Sequence, residues 1–140
     1  MSKNPLSIRT EVRVRFSEVD SLKIVWHGHY VKYFEDGREA FGKKYGLGYL
    51  DYFANELITP LVKVTIDYKY PLFYGDHAII ETTYVDTDAA KIVFEYKVFR
   101  TSNMELVATG ETTQVFLNTD RELLLTMPKF FAYWKKKWLK

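Results

Sequence analysis

The order of one alternating segment, one helical segment and four further alternating segments constrains this chain more than any other feature. Apolar and polar residues alternate strictly over residues 8–16, which predicts a half-buried strand. Over residues 28–45 the aromatic residues recur at helical spacing, which predicts a long helix with one apolar face. Alternation then returns and predicts four more strands, over residues 62–70, 78–85, 91–100 and 106–117.

Five strands around a single long helix favour the α+β class, because no strand–helix alternation is present to build a parallel sheet. We expect one domain over residues 1–140, with a mostly antiparallel five-stranded sheet wrapped around one long central helix. Gly37 interrupts the apolar face of that helix, which predicts that another backbone passes close to it. Gly110 lies inside the last strand and predicts a β-bulge.

Several details of the strands and connections follow from the same patterns. Phe16 shares a face with Ile8 in the first strand, and the face of the second strand is apolar throughout, with Val62, Tyr68 and Tyr70 on it. Gly46 and Gly48 end the central helix. Residues 49–57 form a connector too polar and irregular to assign, and residues 86–88 form a hairpin turn.

A last helix is predicted over residues 126–140, with Pro128 in its first turn. Phe131, Trp134 and Trp138 lie near one face of it, which favours a terminal helix packed on the sheet. A sharper interpretation has its lysines meeting the phosphate groups of a ligand or a membrane surface. These lysines are Lys135, Lys136, Lys137 and Lys140.

Composition excludes several classes of protein. The 20 basic and 18 acidic residues leave a net charge of +2, which gives no electrostatic case for nucleic acid as a partner. The absence of Cys excludes disulfides, a thiolate nucleophile and Cys-based zinc sites, and agrees with a cytoplasmic protein. No apolar segment has the length of a signal peptide core or a membrane span, so we expect neither.

The segment over residues 15–30 contains the candidate catalytic residues. Asp20 follows the first strand, and a helix begins about seven residues later at His27. Exposed N–H groups at a helix start can hold a carbonyl oxygen as it becomes an oxyanion, while Asp20 can attack the carbonyl or activate a water molecule. The plainer interpretation is that Asp20 only caps a turn. Glu18 is set aside as part of a solvated edge.

This segment resembles the signature of the 4-hydroxybenzoyl-CoA thioesterase-like branch of the hotdog-fold family. The matching positions are Asp20, the apolar loop Ile24-Val25-Trp26, then His27 and Tyr30. Residues 68–76 are similar to the family's second pattern, in which an aromatic residue and a Pro-apolar pair precede Gly-Asp. The family usually has Gly three residues after the Asp, whereas this chain has Lys23, which can narrow the pocket or offer a cation.

The resemblance implies hydrolysis of acyl-CoA thioesters, with Asp20 as nucleophile or general base and the N–H of His27 on the thioester carbonyl. It also implies a homodimer or homotetramer with a shared site, and neither a metal nor a redox cofactor. The side chains proposed to contact substrate are Lys23, Val25, Trp26 and Tyr30. Tyr30 also fits the apolar core of the helix, and the His27 imidazole fits a cap or subunit contact.

Three alternatives to an acyl-CoA thioesterase stay open. The same chemistry can act on an acyl carrier protein, whose thioester hangs from the same phosphopantetheine arm. A hotdog hydratase needs a His and a carboxylate that act together at a double bond, which the Asp20 loop does not favour. A module that binds acyl-CoA without cleaving it, with turnover blocked by Lys23, is the alternative without catalysis.

Overall fold

The computed structural model describes residues 6–139. Short 3₁₀ turns lie at Phe16–Glu18 and His27–His29. No helix in the described range is long and apolar enough to cross a membrane. The remaining elements are β1 (Ser7–Arg13), α1 (Tyr30–Tyr45), α2 (Tyr49–Ala54), β2 (Leu61–Tyr68), β3 (His77–Val85), β4 (Lys91–Arg100), β5 (Glu105–Val115) and α3 (Lys129–Trp138).

All five strands form one sheet in the order β1-β3-β4-β5-β2. Each of its four ladders is antiparallel, so the α+β class and the antiparallel sheet are confirmed. The two strands that flank α1 in the sequence, β1 and β2, lie at opposite edges of the sheet. Each edge strand therefore presents unpaired backbone groups along one side.

Helix α1 forms where predicted because its aromatic side chains share one face and bury it against the sheet. Tyr30, Phe34 and Phe41 are at most 2% exposed, and the Phe34 ring stacks on Tyr96 with centroids 4.1 Å apart. Each such burial stabilises the fold by roughly 1.5–3 kcal/mol. The helix ends at Gly46, which adopts a left-handed φ of 78° and confirms the predicted stop.

The two glycines singled out in the sequence are both places of close approach, but not in the way expected. A Cβ on Gly37 would lie 2.1 Å from Oγ1 of Thr82, so a side chain of β3, rather than a backbone, passes close to the helix. Gly110 is regularly paired with Tyr96, and the predicted bulge there is wrong. A Cβ on Gly110 would lie 2.4 Å from Cζ of Phe34, which explains the glycine.

The irregularity in β5 lies three residues earlier, at Val107. The ladder with β4 shifts between Val98 and Phe99, so that Val107 has no partner across the ladder. Its carbonyl oxygen instead accepts the N–H groups of Lys69 and Tyr70, at 2.8 and 3.1 Å. The bulge therefore holds the chain that leaves β2, and this chain leads to the second motif.

Both edge strands end earlier than their alternation predicted. Strand β1 stops at Arg13 because the next residues turn into the first 3₁₀ segment, and this leaves Phe16 77% exposed against the ring of Tyr74. In β2 the pairing with β5 shifts between Leu61 and Lys63. The strand ends at Tyr68 rather than at residue 70, and its predicted apolar face is partly open, with Val62, Tyr68 and Tyr70 each about half exposed.

Two helices lie outside the central one. The unassigned connector contains α2, whose short turn begins at Gly48 with the Asp51 carboxylate accepting the Gly48 N–H at 2.7 Å. Helix α3 confirms the predicted terminal helix. It buries Phe131 and Trp134, and the Trp134 indole donates to the carbonyl oxygen of Tyr45 at 2.6 Å. Pro128 precedes its first turn.

The lysines of α3 differ in their surroundings. Lys135 is bound to the Asp86 carboxylate at 2.8 Å and to the Thr87 carbonyl at 2.7 Å, so it anchors the helix to the β3–β4 connection. Lys136 and Lys137 are exposed, and Lys140 lies outside the described residues. Because α3 packs at the C-terminal end of α1, it is far from the predicted carbonyl site at the opposite end of that helix.

Candidate active site

A narrow hairpin over residues 18–26 carries the predicted acid. Val19 and Val25 form an antiparallel bridge, and the Trp26 N–H donates to the Glu18 carbonyl at 2.9 Å. The Asp20 N–H donates to the Ile24 carbonyl at 2.9 Å, which closes the hairpin. Asp20 is thus paired with Ile24, which precedes His27 by three residues. The chain between Ile24 and His27 spans at most about 10 Å.

The Asp20 carboxylate is half-buried at the turn of this hairpin. Its Oδ1 accepts the N–H of Leu22 at 2.8 Å, the contact expected of an Asp that caps a turn. Its Oδ2 has no hydrogen-bond partner within residues 6–139. The turn therefore orients the carboxylate through one oxygen and leaves the other for a ligand or water.

Lys23 occupies a position whose backbone favours glycine. Its φ of 65° lies in the left-handed region, where a side chain costs about 1–2 kcal/mol. This is the position at which the resembling family usually has Gly, and the turn geometry gives the physical reason. The Lys23 side chain is exposed, while its carbonyl oxygen accepts the N–H of Tyr74 at 3.4 Å.

The second motif packs directly against the first. The Val25 N–H donates to the Leu72 carbonyl at 2.8 Å, and Ile24 forms an antiparallel bridge with Phe73. The turn after Phe73 is closed by Asp76, whose carboxylate accepts the Phe73 N–H at 2.9 Å. The two motifs, which the sequence could match only separately, are therefore in direct contact, and the second motif packs against the hairpin that carries Asp20.

The start of the helix offers unused N–H groups. A 3₁₀ turn at His27–His29 leads into α1, and in the described part of the chain neither the His27 nor the Gly28 N–H has an acceptor. The Trp26 ring lies over Gly28, where a Cβ would approach it to 2.3 Å. These donors carry the partial positive charge of a helix N-terminus.

Aromatic rings surround these donors. The Tyr68 hydroxyl donates to the His27 carbonyl at 2.6 Å, although 41 positions separate the two residues. The His27 ring lies 5.3 Å from Trp26 and 6.2 Å from Tyr68, centroid to centroid. Sequence reasoning missed this role of Tyr68, because nothing in a local pattern links a strand end to the first residue of a distant helix.

The six predicted site residues separate into an exposed and a buried group. Lys23, Trp26 and His27 are exposed, and Asp20 is half-buried beside them. Val25 and Tyr30 lie in the core, at 5% and 2% exposure. Burial raises the pKa of the Tyr30 phenol to about 12, so that it remains neutral at physiological pH.

Glu18 is a structural residue, and its interpretation as part of a solvated edge is wrong. It is 7% exposed, and its Oε1 accepts both the Arg15 N–H and the Tyr33 hydroxyl at 2.9 Å. Burial, together with this carboxylate, raises the pKa of Tyr33 well above its usual range. Glu18 has the spacing of a capping box relative to Arg15, but that motif begins with Ser or Thr, so no sequence pattern marked this role.

His27 and His29, two residues apart in the sequence, do not form a metal site with other side chains of the described range. Their rings both lie against Trp26, at 5.3 and 5.8 Å. Within residues 6–139 no group of three or more His, Cys, Asp or Glu side chains is placed to hold a metal ion.

Comparison with known proteins shows that this chain is similar to thioesterases. The model of the thioesterase-like superfamily matches residues 14–135. YneP of Bacillus subtilis, named as a candidate acyl-CoA thioesterase, is 29% identical over 90% of this chain and 91% of its own length. The chloroplastic acyl-acyl carrier protein thioesterase ATL3 of Arabidopsis thaliana is 25% identical over 77% of this chain and 57% of its own.

A solved structure is similar over most of the chain. The DHNA-CoA thioesterase of Staphylococcus aureus superposes with a TM-score of 0.84 and 25% identity, over 93% of this chain and 87% of that one. Both sequence motifs, over residues 15–30 and 68–76, lie wholly inside the region that the family model matches.

Proposed function

The chain belongs to the thioesterase-like superfamily, and on that premise we propose that it hydrolyses acyl-CoA thioesters to a free acid and coenzyme A. One observation carries the proposal. The unused N–H groups of His27 and Gly28 lie at the start of α1, directly after a hairpin that presents the Asp20 carboxylate. A helix start beside a carboxylate suits acyl transfer, because charge develops on a carbonyl oxygen as a nucleophile attacks its carbon.

Two routes are compatible with this arrangement. In the first, Asp20 attacks the thioester carbon to give a tetrahedral intermediate, and the C–S bond then breaks so that the thiolate leaves and a mixed anhydride remains. Water hydrolyses this anhydride to the free acid and restores the Asp20 carboxylate. In the second, Asp20 takes a proton from a water molecule that attacks the same carbon, and the proton passes to the leaving sulfur. In both, the His27 N–H stabilises the oxyanion. The phenol of Tyr68 holds the His27 carbonyl and so orients this turn.

Release of free thiol from a panel of acyl-CoA substrates tests the proposal. We expect turnover of at least one aliphatic or aryl acyl-CoA. Binding of acyl-CoA without thiol release would instead support the module without catalysis, in which the Lys23 side chain stands at the site. Cleavage of acyl carrier protein thioesters but not of the matching CoA esters would support the second candidate, which the similarity to ATL3 favours.

The His27→Ala variant should keep most of its activity, within a few-fold of the parent. The proposed donor is the backbone N–H, and the imidazole is exposed against Trp26 and Tyr68 without a hydrogen bond to either. Steady-state thiol release at saturating and low substrate measures this. A loss as deep as that expected for Asp20→Asn would assign the chemistry to the imidazole.

We also propose a homodimer or homotetramer in which the site is shared between chains. The open edge at β2 supports this, because Val62 and Tyr68 of that strand are about half exposed, and the half-exposed Trp26 lies near Tyr68 through the ring of His27. Light scattering should therefore give at least twice the chain mass of 16.6 kDa. A monomer that turns over acyl-CoA at full rate would contradict the proposal.

A further inference from the structure

A cleft lies along α1, away from the helix start. It has a volume of about 810 Å³, within the usual range for small-molecule sites. Its floor is apolar and buried, formed by Leu47, Tyr52 and Phe94 at 3–7% exposure. Its lip is the start of α2, where Tyr49 and Leu50 are more than 70% exposed.

Arg38 lines this cleft, and within residues 6–139 only one of its N–H donors has a hydrogen-bond partner. One guanidinium nitrogen, Nη1, donates to the Tyr96 hydroxyl at 3.1 Å, and that hydroxyl is bonded to Thr112 at 2.6 Å. No carboxylate within residues 6–139 lies within 4.0 Å of Arg38. An arginine keeps its charge at every physiological pH and offers five N–H donors, so that several remain for a ligand.

The cleft and the proposed carbonyl site share one face of α1. Residues 31, 35, 38 and 42 of α1 follow one another at spacings of three and four, which places them on a single helical stripe. Extended back by one turn, this stripe reaches Gly28 in the 3₁₀ turn that leads into α1. Val31 and Arg38 are partly exposed on this stripe and Glu35 is exposed. A rise of 1.5 Å per residue puts Arg38 about 15 Å beyond Gly28, a distance that a medium-length fatty acyl chain spans.

We propose that this cleft holds the far end of the acyl chain and that Arg38 selects acyl groups with a neutral oxygen, a hydroxyl or a ketone, near that end. The inference rests on the proposed function, because it needs a thioester held at the His27 turn. The apolar floor takes the methylene groups, while the Arg38 donors meet the oxygen that a plain alkyl chain lacks.

The charges of the cleft favour a neutral oxygen over a carboxylate. Glu35, Glu39 and Asp51 line it together with the two cations Arg38 and Lys43. Glu39 pairs with Lys43 at 3.6 Å and Asp51 caps α2, but all three carboxylates would repel an acid group at the end of the chain. A hydroxyl or ketone gains the arginine hydrogen bond without this repulsion.

The test compares the parent protein with dodecanoyl-CoA and its ω-hydroxy and ω-carboxy derivatives. We expect kcat/KM to be about tenfold or more higher for the hydroxy substrate than for the plain one, the effect of one hydrogen bond to a charged group. The carboxy substrate should be no better than the plain one. Equal values for hydroxy and plain chains would overturn the inference, whereas no thiol release from any substrate would overturn the proposed function instead.

The Arg38→Met variant separates selection from a structural role. It should bring the hydroxy-to-plain ratio close to one, because only the ω-hydroxy substrate loses a hydrogen bond, so that its kcat/KM falls by about tenfold or more relative to dodecanoyl-CoA. Arg13→Met removes an exposed arginine from β1 and should leave the ratio unchanged. An equal fall in kcat/KM for dodecanoyl-CoA and its ω-hydroxy derivative in Arg38→Met would show that Arg38 only supports Tyr96, and would contradict the inference.

Discussion

Replacement of Asp20 by Asn should lower the rate constant for thioester cleavage by at least about 10², the usual loss when a general base is removed. The amide keeps the size of the side chain, and its oxygen can still accept the Leu22 N–H that orients the turn. What disappears is the charge needed to attack the carbonyl or to take a proton from water. Single-turnover and steady-state thiol release would both report the loss.

Two measurements show whether the loss is confined to catalysis. The mass by light scattering and the affinity for an acyl-CoA analogue that cannot be hydrolysed should stay unchanged, because the His27 and Gly28 donors remain. Asp88→Asn, in the β3–β4 connection, is the matched control and should keep full activity. Turnover of Asp20→Asn within a few-fold of the parent would leave Asp20 with only its turn-capping contact.

Glu18 would not replace Asp20 as the acid in that case. Its Oε1 is already occupied by the Arg15 N–H and the Tyr33 hydroxyl, and the side chain is buried. We therefore expect Glu18→Gln to act mainly on stability, through the hydrogen bond with Tyr33.

Gly110→Ala should lower the free energy of unfolding by about 2–3 kcal/mol, because it forces an extra carbon into a filled core. The new Cβ would lie 2.4 Å from Cζ of Phe34 and 2.9 Å from the Thr65 carbonyl oxygen. The Phe34 ring cannot easily move away, since it is fully buried and stacked 4.1 Å from Tyr96. Urea denaturation followed by tryptophan fluorescence measures the change.

Phe34→Leu tests the cause. Alone it should destabilise the protein, but it removes the ring atoms that the Cβ at position 110 would meet. The double variant should lose less free energy of unfolding than the two single variants lose together, by about 1 kcal/mol or more. Additive losses would mean that the alanine acts elsewhere, for example on the Thr65 carbonyl of β2.

The parts of the fold that the sequence predicted best are those whose burial pattern is regular. Strand β4 has the predicted bounds, and α1 begins and ends within two residues of prediction. In both, the apolar side chains face the core without interruption, so periodicity alone defines the element. Helix α2 was missed because its six residues expose Tyr49, Leu50 and Phe53 rather than burying one face.

The sequence by itself determined the element order, the fold class and the spacing from Asp20 to a helix start, because local periodicity and turn chemistry encode these. Tertiary structure alone decided that Leu72 bonds Val25, that Tyr68 holds the His27 carbonyl, and that Glu18 is buried under Tyr33. It also brought Arg38 to an apolar cleft. Such contacts join residues far apart in the chain, and they depend on strand register and on which faces pack together, which no local pattern records.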